Sequence, residues 1–309
     1  MKLLQLSSAE LRKQLAGEGI WLRTGPFSLR VQTRLRSVAE GLFQLYGQFE
    51  VRKTQNTFAD FHVAIHSPGL RRWFRPQAHF SFDGDYPFKP LPLDQAYPML
   101  EWGLNWCVSM HAHQYLIIHA GVVEKNGLAA ILPAPPGSGK STLTAALVLS
   151  GWRLLSDELT LIDRKTGWIH PLPRPISLKN ESISVIRNFN ETAFINRASH
   201  DTTKGTVAHM RPPRESVRRQ HEAALPGWVI FPKWRAHAQA SLTPRSKAET
   251  FMYLAQNAFN YSHLGVDGFR VGTQVIDQTE CYDFEYSHLD EAVAIFNKLA
   301  DVALVPRAA

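Results

Sequence analysis

The stretch from Leu132 to Leu147, "LPAPPGSGKSTLTAAL", constrains the fold more than any other part of this chain. It nearly matches the pattern G-x-x-x-x-G-K-[ST], with Ala134 in place of the first glycine. In such a loop, backbone N–H groups at a helix N-terminus converge on phosphate oxygens, the lysine reaches the phosphates and the next hydroxyl ligates Mg²⁺. Apolar runs on both sides predict a strand, the loop and then a helix ending near Gly151. The alternative is a chance Gly-Ser-Gly-Lys turn.

The departure at Ala134 leaves the phosphate-gripping part of the loop intact. The first glycine serves mainly the turn out of the strand, so alanine is tolerable if its φ stays negative. Pro135 lacks an N–H but precedes the donating part of the loop. The residues expected to hold a nucleotide are Pro136, Gly137, Ser138, Gly139, Lys140, Ser141 and Thr142.

Composition places the chain among soluble globular proteins. It has 309 residues, of which 44% are hydrophobic and 20% charged, and two cysteines are too few for a disulfide framework. No apolar run is long enough for a membrane span or a signal peptide, so a cytoplasmic protein without a membrane partner is predicted. The net charge of +7 favours an acidic partner, or is a solvated basic surface. No recognition pattern points to nucleic acid.

The pattern along the chain predicts two parts. Residues 1–95 read as a small N-terminal α+β module of unknown role, and residues 96–309 carry the loop. A helix is predicted from Pro98, with Leu100, Leu104, Cys107 and Met110 on one stripe. "YLIIHAGVV" and "GLAAILP" predict a hairpin, and residues 190–226 predict a long functional or mobile loop.

Two adjacent carboxylates end the next apolar run, "LLSDE". Asp157 and Glu158 follow Lys140 by 17 and 18 residues. A carboxylate at the end of a strand beside a phosphate loop is what Mg²⁺ needs, and a second carboxylate could accept a proton from an incoming hydroxyl. A solvent-exposed strand end is the alternative.

These residues resemble HPr kinase/phosphorylase, a P-loop protein-serine kinase related in fold to phosphoenolpyruvate carboxykinase, and more closely its relatives called HPr kinase-related kinase A. The resemblance covers roughly residues 100–265. It rests on "HAG" before the hairpin, "PPGSGKST", "LSGWRLLSDELTLID", "TPRSKAETFMYLAQNAF", and the 21-residue interval from His119 to Lys140. It implies an α/β fold with a P-loop kinase core of the HPr kinase / PEP carboxykinase type beside the small N-terminal module.

The resemblance also implies roles for single residues. Lys140 would bind the phosphates, Ser141 and Asp157 would hold Mg²⁺, and Glu158, where the family has aspartate, would accept the hydroxyl proton. Arg245 would neutralise charge on the transferring phosphoryl group. His119 would lie near the transferred phosphate, or be a strand-end histidine bound to a backbone carbonyl. The region that supplies another metal carboxylate in the family, "RPISLKNES", offers Glu181.

The predicted function is an ATP- and Mg²⁺-dependent kinase acting on a hydroxyl of a protein or peptide. The suggested partner is a biosynthetic precursor peptide or its carrier, gripped by the basic segment from Lys204 to Arg219, and a homo-oligomer is compatible with the resemblance. Two alternatives stay open: a nucleotide-dependent switch or adaptor that transfers no phosphate, and a small-molecule kinase, which a closed pocket beside Glu158 would favour.

Overall fold

The computed structural model describes residues 1–52, 58–68 and 76–303 and shows a mixed α/β protein with three sheets. The N-terminal part contains a six-stranded sheet in the order β3-β1-β2-β4-β5-β6, in which β2 and β4 are parallel. Its elements are α1 Ser8–Ala16, β1 Ile20–Thr24, β2 Phe27–Thr33, α2 Arg36–Leu45, β3 Val51–Arg52, β4 Phe61–His66, β5 Gln77–Phe82 and β6 Leu91–Pro92.

The predicted helix near Pro98 is α3, Ala96–His111. Leu100, Leu104 and Cys107 face the core that the six-stranded sheet forms, as their spacing predicts. Met110 does not, because the stripe turns outward in the last turn and leaves this side chain 51% exposed. The hydrophobic core runs on from α3 into the next strands, where Phe27 and Tyr115 place their ring centroids 6.2 Å apart. The division of the chain at residue 95 stays a prediction.

The central sheet has eight strands, seven of them in the order β11-β10-β7-β8-β15-β17-β16, with β9 also paired to β7. The predicted hairpin is confirmed: β7 and β8 are antiparallel and joined at Asn126 and Gly127, both with positive φ. β8, β15 and β17 are parallel. The strands are β7 Tyr115–Lys125, β8 Leu128–Pro133, β9 Arg153–Ser156, β10 Leu159–Asp163, β11 Ile169–His170, β15 Leu225–Trp234, β16 Ser241–Pro244 and β17 Glu280–Tyr286.

Helices cover both faces of this sheet. On one face, α4 and α10 pack over the core that contains Leu132, Ile230 and Phe284. On the other face, α7 and α9 cover Ile131, Val229 and Cys281. The helices are α4 Lys140–Leu149, α7 Lys247–Gln256, α8 Tyr261–Leu264, α9 Val266–Gln278 and α10 Leu289–Val302. No helix in the described ranges is long and apolar enough to cross a membrane.

The long loop predicted for residues 190–226 is wrong. It contains two strands, β13 and β14, of a small antiparallel sheet in the order β12-β14-β13, and then a short helix. The strands are short and alternate little, but β14 buries Ala208 and Met210 against the α4 side of the core. The elements are β12 Ile176–Lys179, α5 Glu181–Phe189, β13 Ser199–Thr202, β14 Gly205–Met210 and α6 Arg214–Arg218.

The paired strand β14 predicts protected backbone amides where the sequence predicted mobility. We expect its amides to exchange hydrogen at least about 10²-fold more slowly than those of residues 237–240, which lie outside the helices and strands. Hydrogen–deuterium exchange with mass spectrometry on native protein measures both segments in one experiment. Equal exchange rates would show that the small sheet does not form in solution.

Candidate active site

The loop between β8 and α4 presents a helix N-terminus to solvent. Gly137 and Gly139 have φ of +84° and +86°, a conformation that L side chains rarely adopt. Gly139 is the N-terminal cap of α4, and the first backbone N–H groups of the helix have no partner within it. Ala134 is absent from the described non-glycine residues with positive φ, so the missing first glycine imposes no strain.

The ends of two neighbouring strands hold this loop. The Trp234 backbone N–H donates to the Ser138 carbonyl at 2.9 Å, and the Tyr286 hydroxyl donates to the Gly139 carbonyl at 3.1 Å. A Cβ on Gly139 would lie 2.6 Å from the Tyr286 hydroxyl, whereas one on Gly137 would meet nothing within 4 Å. Close packing therefore excludes a side chain at Gly139, and the positive φ of this residue disfavours one as well.

Lys140 begins α4, and the stem of its side chain lies over Gly121 of β7. A Cβ at Gly121 would be 3.7 Å from the Lys140 Cγ and 2.9 Å from the Thr144 Oγ1. Burial lowers the pKa of Lys140, against the opposing effect of the carboxylates of Asp157 and Glu158. Gly121 was overlooked in the sequence, although "HAG" contains it; its role is to leave room for the lysine.

Asp157 follows β9 and is 5% exposed. Its Oδ2 accepts from the Ser141 hydroxyl at 3.3 Å and from the Ser177 backbone N–H at 3.1 Å. Its Oδ1 is buried and has no hydrogen-bond partner among the described residues. Burial raises the pKa of Asp157, and Lys140 opposes this effect. A buried carboxylate oxygen without a partner is costly, so this atom fits a site for a cation.

The oxygen atoms at Asp157 suit Mg²⁺, because this ion takes oxygen ligands and is commonly bound by protein groups and substrate phosphates at the same time. Ser141 and Asp157 would supply a hydroxyl and a carboxylate oxygen. Across the described ranges, no group of three or more histidine, cysteine or acidic residues could hold a metal ion on its own. Phosphate oxygens and water would have to complete the ligand set, as they commonly do for this ion.

Glu158 is held at both oxygens. Asn105 of α3 donates its side-chain amide N–H to Oε2 at 3.0 Å, and the Lys179 ammonium lies 3.7 Å from Oε1. Burial alone would raise the pKa of Glu158, but the positive charges of Lys179, Lys140 and Lys204 outweigh it and lower the pKa to about 2. The carboxylate is therefore ionised at neutral pH, and its remaining lone pairs can accept another hydrogen bond.

A buried network extends from Asn105 to the N-terminal part. Arg174 donates to the Asn105 side-chain oxygen and forms an ion pair with Glu101 at 3.7 Å. Glu101 also accepts from the hydroxyls of Tyr46 and Tyr97, at 2.9 and 2.6 Å. Because Arg174 binds the Asn105 oxygen, the amide N–H₂ group must face Glu158. No sequence pattern predicts this network, because its members are far apart along the chain.

His119 and Arg245 lie in different surroundings. His119, on β7 opposite Leu159, is close enough to Lys140 and Glu158 for their charges to affect it. Burial and then Lys140 lower its pKa to about 4, and no backbone carbonyl in the described part of the chain accepts from its ring. Arg245 binds Asp283 at 2.8 Å and lies over the Phe231 ring at 4.3 Å. Arg245 makes no described contact with Asp157 or Glu158.

A partly open cleft lies beside Asp157 and Glu158. It is lined by Glu101, Trp102, Asn105, Ser156, Asp157, Glu158, Leu172, Arg174, Pro175, Ser177 and His209. Polar atoms of several lining residues have no described partner, among them Trp102 Nε1, Ser177 Oγ and both ring nitrogens of His209. The cleft therefore offers polar groups to a ligand, and the region "RPISLKNES" contributes Arg174, Pro175 and Ser177 to its lining.

The basic residues from Lys204 to Arg219 lie in different surroundings, and their role in gripping a peptide stays a prediction. Lys204 lies on the turn between β13 and β14 near Glu158. Arg218 pairs with Glu215 at 2.5 Å, and Arg219 pairs with Glu222 at 2.6 Å and with the buried Glu124 at 3.6 Å. Glu181, the carboxylate singled out in the sequence, is exposed at the start of α5.

Comparisons with known proteins add little to this geometry. No protein-family model matches the chain, and no curated protein matches it. Among solved structures, it is similar to the HPr(Ser) kinase/phosphatase from Coxiella burnetii, with 10% sequence identity and a TM-score of 0.27 over 60% of this chain and 98% of that one. A likeness of this degree says nothing by itself about shared chemistry, and membership of the family stays a prediction.

The buried His209 predicts a pH-dependent stability. It is 1% exposed, and burial lowers its pKa from 6.5 to about 3. Below pH 6.5, His209 binds a proton in the unfolded chain but stays neutral in the folded chain, so the free energy of unfolding falls as the pH decreases. The loss due to His209 is about 2 kcal/mol between pH 7.5 and 5.

We expect His209→Gln to remove that part of the pH dependence, measured by urea unfolding at several pH values. The matched control is His221→Gln, at an exposed histidine, which should leave the dependence unchanged. An unchanged pH dependence in His209→Gln would contradict the neutral, buried state of this ring.

Proposed function

We propose that this protein is an ATP- and Mg²⁺-dependent kinase that transfers the γ-phosphoryl group to a hydroxyl of a protein or peptide. One observation carries the proposal. A loop with two left-handed glycines places Lys140 at a helix N-terminus, and the adjacent Asp157 has one oxygen bound to the Ser141 hydroxyl and the other without a partner. Together with the neighbouring Glu158, these groups can bind phosphate, hold Mg²⁺ and accept a proton from a hydroxyl, which are the requirements of phosphoryl transfer.

In the proposed reaction, each residue of the chain has one task. The backbone N–H groups from Gly137 onward and the Lys140 ammonium bind phosphate oxygens, and Ser141 and Asp157 hold the metal. Bound Mg²⁺ would neutralise charge on the β and γ phosphates. Glu158 orients the acceptor hydroxyl and takes its proton as the acceptor oxygen bonds to the γ-phosphorus, and ADP leaves with the electrons of the broken P–O bond.

His119 and Glu158 differ in charge at neutral pH in the proposed reaction. With a pKa lowered to about 4, His119 is neutral at pH 7, while Glu158 is charged. The neutral imidazole adds no positive charge beside Lys140 and can donate or accept a hydrogen bond near the transferred phosphate.

The acceptor could also be a small hydroxyl compound, and one observation favours it. The cleft beside Glu158 is only partly open and is lined by polar groups, and Arg218 and Arg219, which were expected to grip a peptide, form ion pairs with glutamates. Intact-mass assays with ATP and peptides encoded near this gene, beside free serine and sugars, would separate the two acceptor classes.

For Glu158→Gln we expect near-normal nucleotide binding and a loss of turnover of about 10²-fold or more, because glutamine cannot accept the proton. Product formation followed by mass spectrometry and nucleotide affinity measured by calorimetry give the two quantities. Glu191→Gln, at an exposed glutamate without an assigned role, is the control for the charge change. Wild-type turnover in Glu158→Gln would remove the residue from its role as base.

A further inference from the structure

Transfer of a phosphoryl group spreads negative charge over its oxygens, and a cation is needed to stabilise it. Arg245 is the residue that the family resemblance offers, but its guanidinium binds Asp283 on β17. The cations next to Glu158 come instead from the small sheet, as Lys179 on β12 and Lys204 on the turn between β13 and β14.

Of these two lysines, Lys204 is the one available to bind a ligand. Lys179 is paired with Glu158, whereas no carboxylate in the described ranges lies within ion-pair distance of Lys204. The Lys204 Nζ lies 5.6 Å from the centre of the Trp102 ring, at the wall of the cleft that contains Glu158. A cation–π contact at an exposed site is worth only about 0.5–1 kcal/mol, so the ammonium can leave the ring at little cost.

The charge of Lys204 already acts on the reaction centre. It contributes to lowering the pKa values of His119, Lys140 and Glu158, after the larger effects of burial and nearer charges. These three residues surround the place where the γ-phosphoryl group would lie. Lys204, on the turn of the small sheet, is therefore close enough for its charge to act on the same residues as the loop lysine does.

Hydrogen bonds fix the backbone that carries Lys204. The Thr202 hydroxyl accepts from the Lys204 backbone N–H at 3.0 Å and donates to the Gly205 carbonyl at 2.7 Å. The Asn180 side chain accepts from the Thr206 backbone N–H at 3.0 Å. Gln95, which immediately precedes α3, donates its side-chain amide N–H to the Asp201 carbonyl at 3.1 Å. The long side chain can move while its point of attachment stays in place.

Two residues beside this turn have positive φ. Asn180 and Asp201 have φ of +52° and +53°, values uncommon for residues other than glycine. Gly205, with φ of +80°, leaves room for the Asn180 side chain, which would lie 2.3 Å from a Cβ at this position. Strained residues that neighbouring hydrogen bonds hold in place cluster at functional sites.

We propose that Lys204 is a catalytic lysine that binds the transferring phosphoryl group from the side opposite Lys140. The inference rests on the proposed kinase function. The γ-phosphorus bond to the β,γ-bridging oxygen breaks, the bond to the acceptor oxygen forms, the hydroxyl proton passes to Glu158, and Lys204 stabilises the phosphoryl oxygens without exchanging a proton. Arg245 then remains a structural partner of Asp283.

The test compares binding of ADP–Mg²⁺ with binding of ADP–Mg²⁺–aluminium fluoride, which imitates the phosphoryl group in flight. We expect wild-type protein to bind the fluoride complex about 10²-fold or more tightly than ADP–Mg²⁺. Lys204→Gln should lose most of that difference and keep its ADP–Mg²⁺ affinity, and Lys204→Arg should recover part of the difference. Lys165→Gln, at an exposed lysine that follows β10, should keep it.

Four results would overturn the inference. Lys204→Gln that retains the full preference for the fluoride complex excludes the lysine while leaving the nucleotide site intact. Equal losses for ADP–Mg²⁺ and the fluoride complex would assign Lys204 to ground-state binding. Wild-type protein without any preference would exclude a phosphoryl-stabilising cation. Failure of wild-type protein to bind ADP–Mg²⁺ would reject the kinase function and the role of Lys204 together.

Discussion

The burial of two adjacent carboxylates, Asp157 and Glu158, is the constraint on which the rest of the site depends. Taking a charge out of water costs several kcal/mol unless partners compensate for it. Lys179 and Asn105 compensate Glu158, and backbone and hydroxyl donors compensate one oxygen of Asp157. The other oxygen of Asp157 is left for a cation. Both oxygens of Glu158 have partners, whereas only one oxygen of Asp157 does. This difference underlies the separate roles we propose, Glu158 as the base and Asp157 as a metal ligand.

The N-terminal part of the chain is connected to this constraint. Tyr46, at the end of α2, and Tyr97 bind Glu101, whose partner Arg174 orients the Asn105 amide toward Glu158. Replacement of one member would leave buried polar groups without partners, and such losses are rarely confined to one contact. The module that had no readable chemistry in the sequence therefore has a structural link to the proposed base.

The sequence could predict what depends on neighbouring residues along the chain. The hairpin and the strand, loop and helix around Lys140 follow from apolar runs and glycines. Ser141 donates to Asp157, and these are two residues that the family resemblance assigns to one metal. Lys179, Lys204 and Asn105 could not be found in this way, because only the packing of three separate elements brings them to Glu158. The small sheet was missed for a related reason: β13 is four residues long and polar, and its pairing with β14 is a property of the backbone.

All the roles proposed for this site require that the loop before α4 binds a nucleotide with Mg²⁺. Calorimetric titration with a non-hydrolysable ATP analogue, with and without Mg²⁺, measures this binding. We expect one nucleotide to bind per chain, to require Mg²⁺ and to bind about tenfold or more weakly in Lys140→Ala, since a charged hydrogen bond contributes about 1.5–3 kcal/mol. Absence of binding, or binding that ignores both Mg²⁺ and the Lys140→Ala change, would contradict these roles.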